Sequence, residues 1–166
     1  MAAGMTYFPI ATATTSGSIS TTTFSSISGA YTDLVLIVNG GASTAVNMQI
    51  QFNGDTGTNY SRTALTLDNL TAVSSRQSSV AYTRLEDGGY LSTTFPAKNS
   101  IINIMNYSNT TTYKTAIGRA NNAGTGLDAA VGLWRSTSAI NSITVYIASG
   151  NFTNGTTLTL YGIAAA

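Results

Sequence analysis

Apolar and polar residues alternate most strictly at Val46–Phe52, where Val46, Met48, Ile50 and Phe52 are interleaved with Asn47, Gln49 and Gln51. Successive side chains of a β-strand point to opposite faces, so this pattern predicts a strand with one dry face and one amide-rich face. Near the C-terminus Leu158, Leu160 and Gly162 alternate with Thr157, Thr159 and Tyr161, directly after Asn154-Gly155. That predicts a closing strand, half buried, which must pair either within this chain or with a neighbouring copy. Residues 33–39, DLVLIVN, are apolar without alternation and rich in β-branched side chains. A short run of this kind predicts a central strand covered on both faces.

Weaker patterns predict further strands at 18–25, 64–68, 80–86, 100–106, 113–120, 130–134 and 142–148. Gly, Asn and Asp punctuate them at Gly29, Gly40-Gly41, Asn53-Gly54, Asp87-Gly88-Gly89, Gly124 to Gly126 and Gly150, residue types that tolerate positive φ in tight turns. No segment keeps a 3.6-residue apolar period over three turns, and abundant Thr disfavours helix by restricting χ1. About ten short strands at near-regular spacing predict an all-β chain, a single-domain antiparallel β-sandwich with jelly-roll-like connections. No linker or repeat divides the sequence. Residues 1–16 are small and polar enough to be an extended N-terminal arm or tail, leaving 17–166 as the sandwich.

Charge changes the picture. Only 8% of residues are charged against 43% hydrophobic, whereas an average soluble domain carries roughly 25% charged residues. Seven basic and six acidic residues give a net charge of +1, with the arginines and lysines scattered along the chain. That arrangement argues against a surface that tracks phosphates, so no nucleic-acid partner is expected. A surface so poor in charge is expected to lie against other protein. No run approaches the ~20 apolar residues of a membrane span, and the first residues lack the basic and apolar regions of a secretory signal.

Candidate chemistry is sparse. The chain has no His and no Cys, which removes Ser-His-Asp and Cys-His arrangements, disulfides and thiolate metal sites. Glu86-Asp87 precede two glycines and read as a turn tip. The triplet Asp55-Thr56-Gly57 matches the loop on which aspartic proteases hold one of two carboxylates, and residues 116–120, AIGRA, match a later segment of those enzymes. Yet Asn53-Gly54 precede the triplet where a buried strand belongs, so Asp55 is expected to cap its own backbone. Asp55 and Asn59 are too few ligands for a strong calcium site. No enzymatic activity, cofactor or metal is expected.

The aromatic residues carry more information. Tyr107 and Tyr113 bracket a loop, SNTTT, and read as its amphipathic anchors. Trp134-Arg135 is the residue pairing enriched at interface hot spots, though Trp134 also reads as a core residue at a strand end. Tyr107, Tyr113, Trp134 and Arg135 are therefore the candidate interface residues.

Three segments resemble the small virion structural proteins of tailed bacteriophages: FNGDTGTNYS at 52–61, NYSNTTTYKT at 106–115 and INSITVYIASGNFTNGTTLTLYGI at 140–163. The resemblance lies in an N-G-D turn, an N-Y-S-N loop before a Y-K strand, and a closing strand ending L-Y-G-[IV], in that order. It spans residues from about Phe24 to Ile163 and implies a β-domain without enzymatic activity, located in a virion assembled in the bacterial cytoplasm. Within that family the expected role is capsid decoration or cement, with the major capsid protein and further copies of itself as partners, as a trimer by analogy. The alternative is a tail-fibre module that binds host glycans through exposed Tyr107, Tyr113 or Trp134.

Overall fold

A computed structural model describes residues 6–68, 71–85, 98–122 and 126–164. The expected turn at Asp87-Gly88-Gly89, with Glu86, lies outside them, as do Gly124-Thr125. The described residues form an all-β sandwich of two antiparallel sheets. Its strands are β1 (Tyr7–Thr14), β2 (Thr21–Phe24), β3 (Asp33–Gly40), β4 (Met48–Phe52), β5 (Tyr60–Asp68) and β6 (Thr71–Val80). They continue with β7 (Lys98–Met105), β8 (Lys114–Asn122), β9 (Gly126–Trp134), β10 (Ile143–Ile147) and β11 (Thr157–Ile163). The larger sheet has eight strands in the order β1-β11-β3-β7-β8-β9-β5-β6, and the smaller has three in the order β2-β10-β4. The chain crosses between sheets repeatedly, so neighbours in space are distant in sequence.

The core fills the space between the sheets. Leu34, Leu36 and Val38 of β3, Ile102 and Ile104 of β7, and Leu158 and Leu160 of β11 line the inner face of the large sheet. Facing them are Met48, Ile50 and Phe52 of β4, Ile143, Val145 and Ile147 of β10, and Phe24 of β2. Each such side chain contributes about 1.5–3 kcal/mol by leaving water. The alternation of β4 emerges as expected, with its apolar residues buried and Gln49 and Gln51 half-buried. The turn after it places Asn53 at φ 53° and Gly54 at φ 67°, the left-handed pair that an Asn-Gly turn supplies.

The closing strand pairs within the chain on both sides. Leu158 and Leu160 stand opposite Val38 and Leu36 of β3, and opposite Ala13 and Ala11 of β1. The segment expected as an N-terminal arm is thus a strand over Tyr7–Thr14, with Ile10 packed on the core and Phe8 against Tyr31. Its Ala and Thr residues gave little apolar signal, because β11 supplies most of what β1 needs: a hydrogen-bonding edge. Strand β3 differs from its expectation too. Its outer face is open, with Ile37 half-buried and Asn39 exposed, and Val35 is screened between Tyr161 and Asn103 in register.

Of the strand expected over 80–86, Val80 ends β6, residues 81–85 form no strand, and Glu86 lies outside the described residues. Thr83 makes a single bridge to Ile50, and the segment then passes beneath β8 and β9. Gly118 makes that passage possible, since a Cβ there would come within 2.7 Å of the Leu85 carbonyl oxygen. Conversely, β6 was not legible, because TAVSSRQSSV has no apolar period.

Leu158 and Leu160 are fully buried on an interior strand. Replacing both with Asp sets unpaired carboxylates in the core, a loss expected to exceed about 4 kcal/mol. The double variant should be found in the insoluble fraction on expression, and a cooperative thermal transition in soluble material would contradict this placement.

Candidate interaction surface

Trp134 ends β9 and stacks on Tyr60 with ring centroids 6.3 Å apart, while Phe52 closes the cluster at 5.6 Å from Trp134. The cluster is buried, and its polar atoms turn to the Asp55 loop. The Trp134 Nε1–H donates to Asp55 Oδ2 at 2.7 Å, Asn59 Nδ2 to the same oxygen at 2.9 Å, and the Gly57 amide to Asp55 Oδ1 at 2.8 Å. The Tyr60 hydroxyl donates to the Asp55 carbonyl at 3.1 Å and accepts the Phe52 amide at 3.0 Å. Burial alone would raise the Asp55 pKa, but the donations from Trp134, Asn59 and Gly57 outweigh it and hold the carboxyl below its ordinary value. Burial also pushes the Tyr60 phenol well above its ordinary range.

This geometry assigns Asp55-Thr56-Gly57 to architecture. Asp55 caps its own turn, as expected, and ties it to β9. Arg135 completes the corner: its guanidinium donates to Ser61 Oγ, to the Thr58 carbonyl at 2.9 Å and to the Tyr60 carbonyl at 3.3 Å. Among the described residues no three of His, Cys, Asp and Glu come together to hold a metal ion.

Tyr107 is likewise internal. Its hydroxyl donates to the Ser28 carbonyl and accepts the Tyr31 amide at 3.4 Å, and burial raises its pKa. Tyr107 and Trp134 are therefore unavailable as an exposed platform, because each ring fills a space at a strand end and each polar atom has an internal partner. Tyr113 is 55% exposed. Lys114 beside it is buried and donates to the Thr112 and Thr137 carbonyls at 2.8 and 3.1 Å, which fixes the loop bearing Tyr113. Of the four candidate interface residues, only Tyr113 presents its ring to solvent; Arg135 is half-buried at the rim of a depression described below.

The surface that sequence reasoning missed is the outer face of the large sheet. Register aligns its outward residues in rows that run from strand to strand. One row reads Ala72, Leu67, Leu127, Asn121, Asn99, Asn39 and Thr157 from β6 to β11, and the next reads Ser74, Leu65, Ala129, Arg119, Ile101, Ile37 and Thr159. The third reads Arg76, Thr63, Val131, Ile117, Asn103, Val35 and Tyr161. Leu65 is 56% exposed, Leu127 50% and Val131 48%, so no described residue covers them. The charged residues on these strands' outward positions are Arg76, Arg119 and Asp33, and Asp33 accepts the Asn106 amide. Large apolar side chains exposed this close together make this face a candidate interaction surface. Arg76 and Arg135, far apart in sequence, both line a depression of about 540 Å3 on this face, floored by Thr63, Val131 and Leu133.

No family model matches the chain, and no curated protein matches it. A solved structure, that of a protein of unknown function from Shewanella oneidensis MR-1, shares 10% identity with a TM-score of 0.22. The alignment covers 83% of this chain and 61% of that one, so the chain spans less than two thirds of that protein's length. A likeness at that level carries no argument about fold or function, and the reading rests on the geometry.

The Asp55 network predicts a pH signature. Because its pKa is lowered on folding, Asp55 contributes stability that is present above its unfolded value, near 3.8, and lost as the pH falls through the folded value. Asp55→Asn should therefore be less stable than the parent by about 1–3 kcal/mol at pH 7. The two urea-denaturation curves should converge in acid, once the parent carboxyl is protonated. A gap that persists unchanged at pH 2 would show that Asp55 acts through its shape alone.

Proposed function

We propose that this chain is a virion structural protein of a tailed bacteriophage and acts as a capsid decoration protein, binding the shell through the outer face of its large sheet. The observation that carries the proposal is that face, apolar, hydroxyl-rich and nearly free of charge. Eight strands at ~4.8 Å spacing and about seven residues at ~3.3 Å rise make it about 34 by 23 Å, roughly 800 Å2. That matches one partner's share of a standard protein–protein interface. Leu65, Leu67, Leu127, Val131 and Ile117 would supply the apolar centre, and the Thr, Ser and Asn rows would pair with polar groups of the partner without the desolvation cost of charges.

Such a contact stabilises a shell mechanically. A plate that adheres across the seam between capsid subunits opposes their separation by packaged DNA, and repetition over many seams multiplies a modest energy per copy. The partners are the major capsid protein and other copies of this chain, and the site of action is the virion assembled in the bacterial cytoplasm. Glycan binding at a tail tip is less well supported, since of the three aromatics it calls on only Tyr113 is exposed.

Two lysines placed on the face, Leu65→Lys with Val131→Lys, should leave the fold intact, with the melting temperature shifted by no more than about 3 °C, because both positions are solvated in the free chain. Co-sedimentation with the phage shell should drop at least tenfold. Labelling of native particles with antibody against the chain should decorate the capsid; label confined to the tail would refute the proposal.

A further inference from the structure

Among the described residues, the exposed charged side chains are Arg76 on β6 and Arg119 on β8, both cationic and both on outward positions of the large sheet. Arg76 borders the depression of about 540 Å3, and Arg135 borders it too. Arg135 follows β9, Arg76 lies on β6, and β5 runs between those strands. Three donations, to Ser61 Oγ and to the Thr58 and Tyr60 carbonyls, hold the Arg135 guanidinium in place and leave it further N–H groups to offer. Arg62, buried on β5, also lines the hollow, its Nε–H donating to Gln77 Oε1 at 3.0 Å. Among the described residues no carboxylate lines it. A hollow bordered by arginines over the aliphatic floor of Val131 and Leu133 focuses positive potential outward. Arg119 stands in a second hollow, of about 310 Å3, whose lining already includes the carboxylate-bearing Asp128.

We propose that the depression between Arg76 and Arg135 receives a carboxylate of the shell subunit, an Asp or Glu side chain clamped by the two guanidinium groups. This rests on the shell-binding reading and names the chemistry of its contact. A guanidinium presents paired N–H donors that match a carboxylate in two parallel bonds. Arg135, already fixed by the turn, loses little freedom when it engages. Val131 and Leu133 would pack the methylene carbons of the incoming side chain and its aliphatic neighbours.

Other anions fit less well. Phosphate is commonly held in a nest of backbone amides, but β5 and β9 are each paired on both sides, so their amides are engaged within the sheet. Nucleic acid calls for basic groups spaced along a track, and here they converge on one hollow. No aromatic ring among the described residues lines the depression for a sugar to rest on. The charge complement that remains is an acidic side chain of a protein.

The test compares substitutions that each remove one positive charge from the same face. In co-sedimentation of the full-length chain with phage shells prepared without it, at low ionic strength, Arg76→Gln should weaken binding about tenfold. Arg119→Gln should weaken it no more than about twofold, since Arg119 lies outside the depression. Arg76→Lys, which keeps the charge and loses the fork, should fall between. Added salt should weaken the parent more steeply than Arg76→Gln. Shells whose carboxylates have been amidated with a carbodiimide and ethanolamine should no longer retain the parent. Thermal melting should be alike in all variants, because both arginines are exposed in the free chain.

A parent that binds shells while Arg76→Gln binds equally, or while the two Gln variants lose equally, would exclude the depression and leave shell binding standing. Undiminished binding to amidated shells would do the same. A parent that binds no shell would overturn the shell-binding reading and this contact together. Retention on polygalacturonate beads that Arg76→Gln abolishes, with shell binding unchanged, would assign the depression to an acidic polysaccharide and overturn the proposal.

Discussion

Leu34, Leu36, Ile102, Ile104, Leu158 and Leu160 press against Phe52, Ile143 and Val145, and this contact between two sheets of unequal width governs the rest of the molecule. A three-stranded sheet covers only the central part of an eight-stranded one. The fold therefore recruits other cover for the remaining inner face, including Thr83 and Leu85 crossing beneath Gly132 and Gly118. The outer face receives no layer from the described residues.

The corner at Asp55 shows how a motif associated with chemistry serves packing instead. A carboxylate that accepts from an indole, an amide side chain and a backbone amide is anchored on three sides. It holds the turn between β4 and β5 against the end of β9, and so sets the aromatic cluster of Phe52, Tyr60 and Trp134 in place. Arg135 repeats the principle with carbonyls of the same turn. These polar networks align the strands whose outward residues make up the outer face of the large sheet, which links the loop to that face.

Low charge and an open apolar face belong to one physical account. Burying a charged side chain at an interface has a desolvation cost that hydroxyls and amides with matching partners largely avoid. A sheet built of Thr, Ser, Asn and scattered aliphatics can therefore be solvated as a free chain and still lose water readily against another protein.

Alternation at β4 and at Leu158–Gly162, the Asn53-Gly54 turn and the all-β class were legible in the sequence, because the side-chain period and the turn chemistry are local. The capping role of Asp55 was legible for the same reason. What pairs with what was not. Strand β1 is a strand because β11 offers it an edge, β6 because β5 does, and residues 81–85 are not one because they cross between the layers. Tyr107 entered the interior, and Arg76 and Arg135 met at one depression, through pairings between residues far apart in the chain. The sequence by itself determined which side of each clearly patterned strand is dry; only the tertiary structure decided which faces and edges find cover, since coverage depends on the width and order of the sheets and not on any segment alone.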